Sequence, residues 1–142
     1  MMQPEQIAKL KQSLVLHEGR KNFPYTDSIG KLTIGIGYNL TDRGVSDHWI
    51  DHQFMQDIQY FHDQLSQLSF WSQLNDDRQV ILIDMAFMGW KKFMSFKRML
   101  GALEREDYQL AADEMLDSKW ASQVGNRAKQ LSNGMILGVY DV

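Results

Sequence analysis

No cysteine occurs among the 142 residues. That absence removes disulfides, thiol nucleophiles and thiolate metal sites together. It does not fix a compartment, because disulfide-free proteins work on both sides of a membrane. No apolar run approaches membrane-spanning length. The opening stretch, Met1-Met-Gln-Pro-Glu-Gln-Ile-Ala-Lys-Leu-Lys11, is charged where a signal peptide needs an apolar centre. The formal net charge is −3, with Lys and Arg spread along the chain. A nucleic-acid binder usually shows a clustered basic face, so this distribution argues against that class. Internal repeats, low-complexity segments and flexible linkers are also missing.

What is present is a globular composition. Apolar residues make up 44% and aromatics 11%, enough for one domain with a real core. Pro4 can open a helix, where its missing N–H costs nothing. Ile7, Leu10 and Leu14 recur at helical spacing and Gly19 ends the run, which puts Glu18 in the last turn. Residues 23 to 38 change character. Pro24, Gly30, Gly35 and Gly37 punctuate Tyr, Thr and Ile, and predict a small β-sheet with a tight turn over Asp27–Gly30. After a loop containing Gly44, Ser46 is a plausible N-cap. Trp49, Ile50, Phe54, Ile58, Phe61, Leu65 and Leu68 then recur at steps of three and four, the mark of one long amphipathic helix. Val80 to Met88 are apolar on nearly all sides, which predicts a buried helix at the centre of a second lobe. Shorter helices are expected at about 91–100, 107–116, 118–123 and 126–138, ended by Gly101, Gly125 and Gly138. The predicted fold class is α+β, mostly α.

The residues that carry chemistry lie early. Glu18 closes a helix, Asp27 opens a turn nine positions on, and the Thr33 hydroxyl follows on the returning strand. Two carboxyls from separate elements are what glycoside hydrolysis requires, one giving a proton and the other activating water or attacking. The Gly-rich surroundings suit a shallow sugar groove with close backbone approach. Each residue also has a plain reading. Most carboxylates are solvated or cap a turn, and Thr33 can be only a β-branched strand residue. Other motifs are weaker. Gly35-Ile-Gly37 is no dinucleotide loop, since Leu40 stands where a third glycine is needed. His48 and His52 have metal-ligand spacing, but a zinc protease needs Glu where Trp49 stands. Two histidines on the polar face of a helix is the better reading. The nine methionines are best read as packing filler.

Glu18, Asp27 and Thr33 with the Thr33-Ile-Gly-Ile-Gly37 run resemble the signature of the bacteriophage-type lysozymes, or endolysins. The similarity continues in order through Asp84-Met-Ala-Phe87-Met-Gly89, Arg98-Met-Leu100, Ser118-Lys-Trp120 and Asn126-Arg127-Ala-Lys129. It covers roughly residues 14 to 137. Five ordered motifs are far more specific than a lone Glu–Asp pair. The resemblance implies one lysozyme-like domain over residues 1–142. It implies an N-terminal lobe at about 13–50 holding the sheet, a connecting helix at about 47–68, and a helical lobe at about 69–142 joined by the N-terminal helix.

It further implies a muramidase that hydrolyses the β-1,4 bond between N-acetylmuramic acid and N-acetylglucosamine in peptidoglycan. Glu18 would be the general acid. Asp27 and Thr33 would hold and activate water, with a lean to inversion. Arg127 would pair with Glu18 and orient it. Phe87, Gly37, Asn39 and Glu114 match substrate-binding positions. Asn39, Phe96, Glu114 and Tyr38 depart from the familiar residue types, and one residue is missing between Phe87 and Met88. No metal or organic cofactor is implied. The expected partner is the glycan strand, with no nucleic acid, no membrane insertion and a monomeric chain. Synthesis would be in the host cytoplasm, and a holin-like pore would give access to the periplasmic wall. A net negative charge is unusual for an enzyme drawn to anionic walls. Two rivals are a lytic transglycosylase, which needs no water-holding pair, and a non-catalytic peptidoglycan-binding or tail module. Retention of Glu18, Asp27 and Thr33 argues against both.

Overall fold

A computed structural model describes residues 1–141. The chain forms two compact units, Met1–Gln53 and Phe54–Val142, and the division falls inside a long helix. Helices dominate, with one small antiparallel sheet, so the α+β, mostly α class is what forms.

The first unit begins with α1, Pro4–Glu18. Proline sits at its start, and the Gln6 side chain accepts a hydrogen bond from the Gln3 N–H at 3.0 Å. Gly19 stops it at φ +79°, donating its N–H to the Val15 carbonyl. Three strands follow, β1 Lys21–Thr26, β2 Leu32–Gly35 and β3 Tyr38–Asn39, in the order β1-β2-β3. The β1–β2 register slips between Lys21 and Tyr25. Pro24 lies in that stretch and has no N–H to give to a ladder, so a bulge absorbs it. A short helix α2, Leu40–Arg43, occupies what the sequence suggests is loop. The Asn39 side chain starts it by accepting from the Asp42 N–H at 3.0 Å. The long helix α3 spans Asp47–Leu65. Ser46 is its N-cap, with Oγ accepting from the Trp49 N–H at 3.1 Å.

In the second unit α3 stops at Leu65, three residues short of the expected end. The Ser66 hydroxyl bonds back to the Asp63 carbonyl, and the chain turns so that Phe70 and Trp71 can be buried. A single 3-10 turn, Trp71–Gln73, leads to α4, Asp76–Ala86. Ile81, Leu82, Met85 and Ala86 of α4 are buried, while Val80 and Phe87 are 39% and 45% exposed, so the stretch is not apolar-buried on all sides. The helix expected at 91–100 is two helices, α5 Trp90–Met94 and α6 Lys97–Glu104. The Lys97 N–H bonds the Ser95 carbonyl at 2.8 Å and breaks the run. Gly101 does not end α6, because burying Met99, Ala102 and Leu103 together outweighs its weak helix propensity.

Helices α7 Tyr108–Leu116, α8 Lys119–Val124 and α9 Asn126–Leu137 complete the fold. Asp107 and Ser118 cap α7 and α8. Helices α7 and α9 pack closely over Ala111, Ala112 and Ala128, and the buried Ser132 hydroxyl donates to the Ala112 carbonyl. Arg78 satisfies the open end of α9, donating to the Met135 and Ile136 carbonyls at 2.8 and 3.0 Å. Its guanidinium stacks 3.7 Å over the Tyr108 ring. Among the described residues no helix is long and apolar enough to cross a membrane.

Candidate active site

The β1–β2 turn is built around Asp27. Its Oδ1 accepts the N–H groups of Ile29 and Lys31 at 3.0 and 2.8 Å, and its own N–H bonds the Lys31 carbonyl at 2.9 Å. An Asp side chain that imitates a backbone turn in this way fixes both the loop and itself. Thr33 is only 4% exposed and donates its hydroxyl to the same Lys31 carbonyl at 3.0 Å. One residue, Lys31, thus anchors both side chains through its main chain. Asp27 Oδ2 takes no protein hydrogen bond among the described residues, and the Thr33 oxygen, its proton already committed, keeps lone pairs that can only accept.

Glu18 comes from the last turn of α1 and lies against the β2–β3 turn. A methyl group built on Gly37 would sit 3.0 Å from Glu18 Oε2 and 3.1 Å from its Cγ. Gly37 also has φ +66°, so two independent constraints call for glycine there. The turn and the carboxyl side chain therefore define each other's position. Thr33 pairs with Asn39 across β2–β3. The Asn39 side chain both accepts from the Asp42 N–H and donates to Asp42 Oδ2 at 2.9 Å, so capping α2 occupies it. Lys31 reaches Asp42 at 2.9 Å, and this partner, followed by Asn39, lowers the Asp42 pKa.

In the second unit Phe87 and Arg127 share a small cleft with Asp84. Phe87 leans on Phe61 and Phe54, with ring centroids 5.2 and 6.1 Å away. Glu114 lines an adjoining cleft of about 520 Å³ beside Phe96, and this cleft shares Lys92 and Trp120 with the first. Phe96 meets Trp120 edge-on at 6.3 Å. His48 and His52 stack at 6.2 Å, and no group of three potential metal ligands occurs among the described residues.

The sequence profile described as Phage lysozyme matches residues 15–135. The chain belongs to the phage lysozyme family. "Probable T4-type lysozyme 1" of Dictyostelium discoideum is 26% identical over 156 aligned residues, covering 88% of this chain and 92% of that protein. "Probable T4-type lysozyme 2" of the same organism is 24% identical over the same shares. Family membership supports a lysozyme function for the chain.

Within the helical unit Arg127 has a partner that the sequence reading did not name. The Arg127 guanidinium is ion-paired with Asp84 inside the helical unit. The other Asp84 oxygen accepts the Tyr140 hydroxyl at 2.7 Å. That bond raises the Tyr140 pKa above its ordinary value, because removing the phenol proton would leave two negative oxygens in contact. Asp84 and Tyr140 received no role from sequence reading. A signal existed, since Asp84 is the lone charge inside Val80–Met88, and a carboxylate in an apolar helix needs a partner.

Proposed function

We propose that this chain is a lysozyme that hydrolyses the β-1,4 bond between N-acetylmuramic acid and N-acetylglucosamine in peptidoglycan. Glu18 serves as the general acid that protonates the leaving oxygen. Asp27 and Thr33 hold the attacking water. The observation that supports this reading best is the shared anchor at Lys31. It commits Asp27 Oδ1 and the Thr33 proton to the backbone, and leaves only acceptors for a ligand. A nucleophilic water has two hydrogens to donate, and those acceptors suit it. Water-mediated attack inverts the anomeric configuration. Phe87 offers an apolar surface to a sugar ring, Arg127 is the cation of the helical unit that the family pattern ties to Glu18, and Gly37 permits close approach. Asn39 and Glu114 are weaker substrate contacts. The biological setting we infer is release of phage from a lysing host, with a holin-like pore giving access to the wall.

The test is Glu18→Gln, which keeps shape and removes the transferable proton. Clearing of chloroform-treated Gram-negative cells should fall by ~10²–10⁴-fold, with circular dichroism unchanged. Mass spectrometry of the digested wall should find reducing muramic ends. Clearing by the variant near the wild-type rate removes Glu18 as the acid, and anhydro-muramyl ends would assign a transglycosylase instead.

A further inference from the structure

Side chains alternate between the faces of a strand. Thr33 pairs with Asn39 and Ile34 with Tyr38, so Thr33 lies on one face of the sheet and the Ile34–Tyr38 pair on the other. On that second face a cavity of about 600 Å³ opens within the first unit, a size typical of small-molecule sites. Ile34, Leu40, Val45 and Trp49 give it apolar walls, and Trp49 is 51% exposed.

The charge of the lining has one sign. Lys21 and Arg43 line the cavity and no carboxylate does. The acid next in sequence to Arg43 is occupied elsewhere, since Asp42 binds Lys31 at 2.9 Å and Asn39 at 2.9 Å. The Arg43 guanidinium carbon lies over the Tyr38 ring, 4.3 Å from its centre. A stacked guanidinium uses its flat face on the aromatic and keeps its in-plane N–H donors for an anion. Most of the wall is apolar, and the Tyr38 hydroxyl is already donated to the Gly44 carbonyl at 2.6 Å. Ser46, one of the two neutral polar side chains lining the cavity besides Tyr38, already caps α3.

We propose that this cavity is a second ligand site, on the opposite face of the sheet from Thr33, for a single-chain anionic amphiphile. The alkyl chain lies against Ile34, Leu40, Val45 and Trp49, and the anionic head meets Lys21 and Arg43. The site is independent of the glycosidase reading and binds whether or not Glu18 is catalytic.

The experiment is isothermal titration of the full chain with laurate below its micelle concentration. Saturable one-to-one uptake is expected. Dodecyltrimethylammonium has the same chain and the opposite head, and should bind roughly tenfold more weakly or worse. Arg43→Glu, an exposed change that leaves the fold intact by circular dichroism, should weaken laurate by roughly tenfold or more. Val45→Trp should fill the cavity and abolish uptake. Phosphatidylglycerol vesicles separate a free amphiphile from a bilayer surface, because adsorption to a surface would survive Val45→Trp. Equal binding of the two heads, laurate uptake that persists in both variants, or vesicle binding without laurate uptake would each overturn the proposal.

Discussion

Gly37→Ala tests the link between backbone shape and chemistry most directly. The substitution has two separable costs. An alanine at φ +66° is in the left-handed region, which costs about 1–2 kcal/mol. Alanine also stiffens the unfolded chain, which returns about 0.4–1 kcal/mol. The net loss is about 1 kcal/mol, or about 3 °C in Tm for a chain of this length. The second cost falls on Glu18. The new methyl would stand 3.0 Å from Oε2, 3.1 Å from Cγ and 3.2 Å from Cβ of that residue, so the side chain must retreat by a few tenths of an ångström. If a 1 Å misplacement of a reacting group costs ~10²-fold, a shift of this size costs roughly 4- to 10-fold in rate. Gly44→Ala is the control. Its φ is +57° and nothing lies within 4 Å of an added methyl, so it carries backbone strain without touching Glu18. Initial rates of wall clearing and thermal melts are measured on both variants. Gly44 has ψ −152°, a region nearly closed to alanine, so its melting loss should be at least as large, while the rate loss is confined to Gly37→Ala. Equal rates in the two variants would refute the coupling of this turn to Glu18, the proposed acid.

Two further outcomes follow from the helical unit. A methyl at Gly134 would collide with the Val139 carbonyl and sit 2.9 Å from Ile81 Cδ1. Gly134→Ala should therefore cost about 2–3 kcal/mol in urea denaturation, and an unshifted midpoint would show that the α9 terminus gives way freely. Asp84→Asn should return the Tyr140 pKa toward its ordinary 10.0, as read by NMR of the phenol carbon. In the parent chain the folded Tyr140 pKa is raised, so its contribution to stability is fully present below pH 10 and is lost as pH rises through the folded value. The variant should lack that alkaline loss, and an unchanged Tyr140 titration would remove Asp84 as its cause.

How much of this was legible in the sequence depends on whether the signal was local. Gly19, Ser46, Asp107, Ser118 and Gly138 each mark a helix boundary through their own backbone chemistry, and those boundaries are where the sequence places them. Gly101 misled because its local preference was outweighed by burial of its neighbours, which no window on the sequence reveals. The split at Ser95–Phe96 has the same origin. It lets Phe93 and Met99 both reach the core, a requirement of packing and not of propensity. Helix α2 was invisible because four residues give no periodicity.

The candidate site divides along the same line. Asp27 and Thr33 are four residues or fewer from the Lys31 main chain that anchors them both, so a short motif carries most of their geometry. Glu18 and Gly37 are nineteen positions apart, and Gly37 was legible only as part of the Thr33–Gly37 run that carries the resemblance. Arg127 is different. Its partner in the helical unit, Asp84, is 43 positions away, and Tyr140 reaches the same carboxylate from 56 positions away. Spacing cannot predict such a meeting. The chemical rule that could have found it is that a buried charge needs neutralising: Asp84 is 9% exposed at its side chain, and a carboxylate so placed calls for a cation and further donors. Arg127 and Tyr140 are those two groups. Because the ion pair uses the same guanidinium that the family pattern ties to Glu18, Asp84 sets how much of that positive charge is left to act on a further anion. A chain with a neutral amide at position 84 would leave the full charge of Arg127 available, which is why the Asp84→Asn variant reports on the cleft as well as on Tyr140.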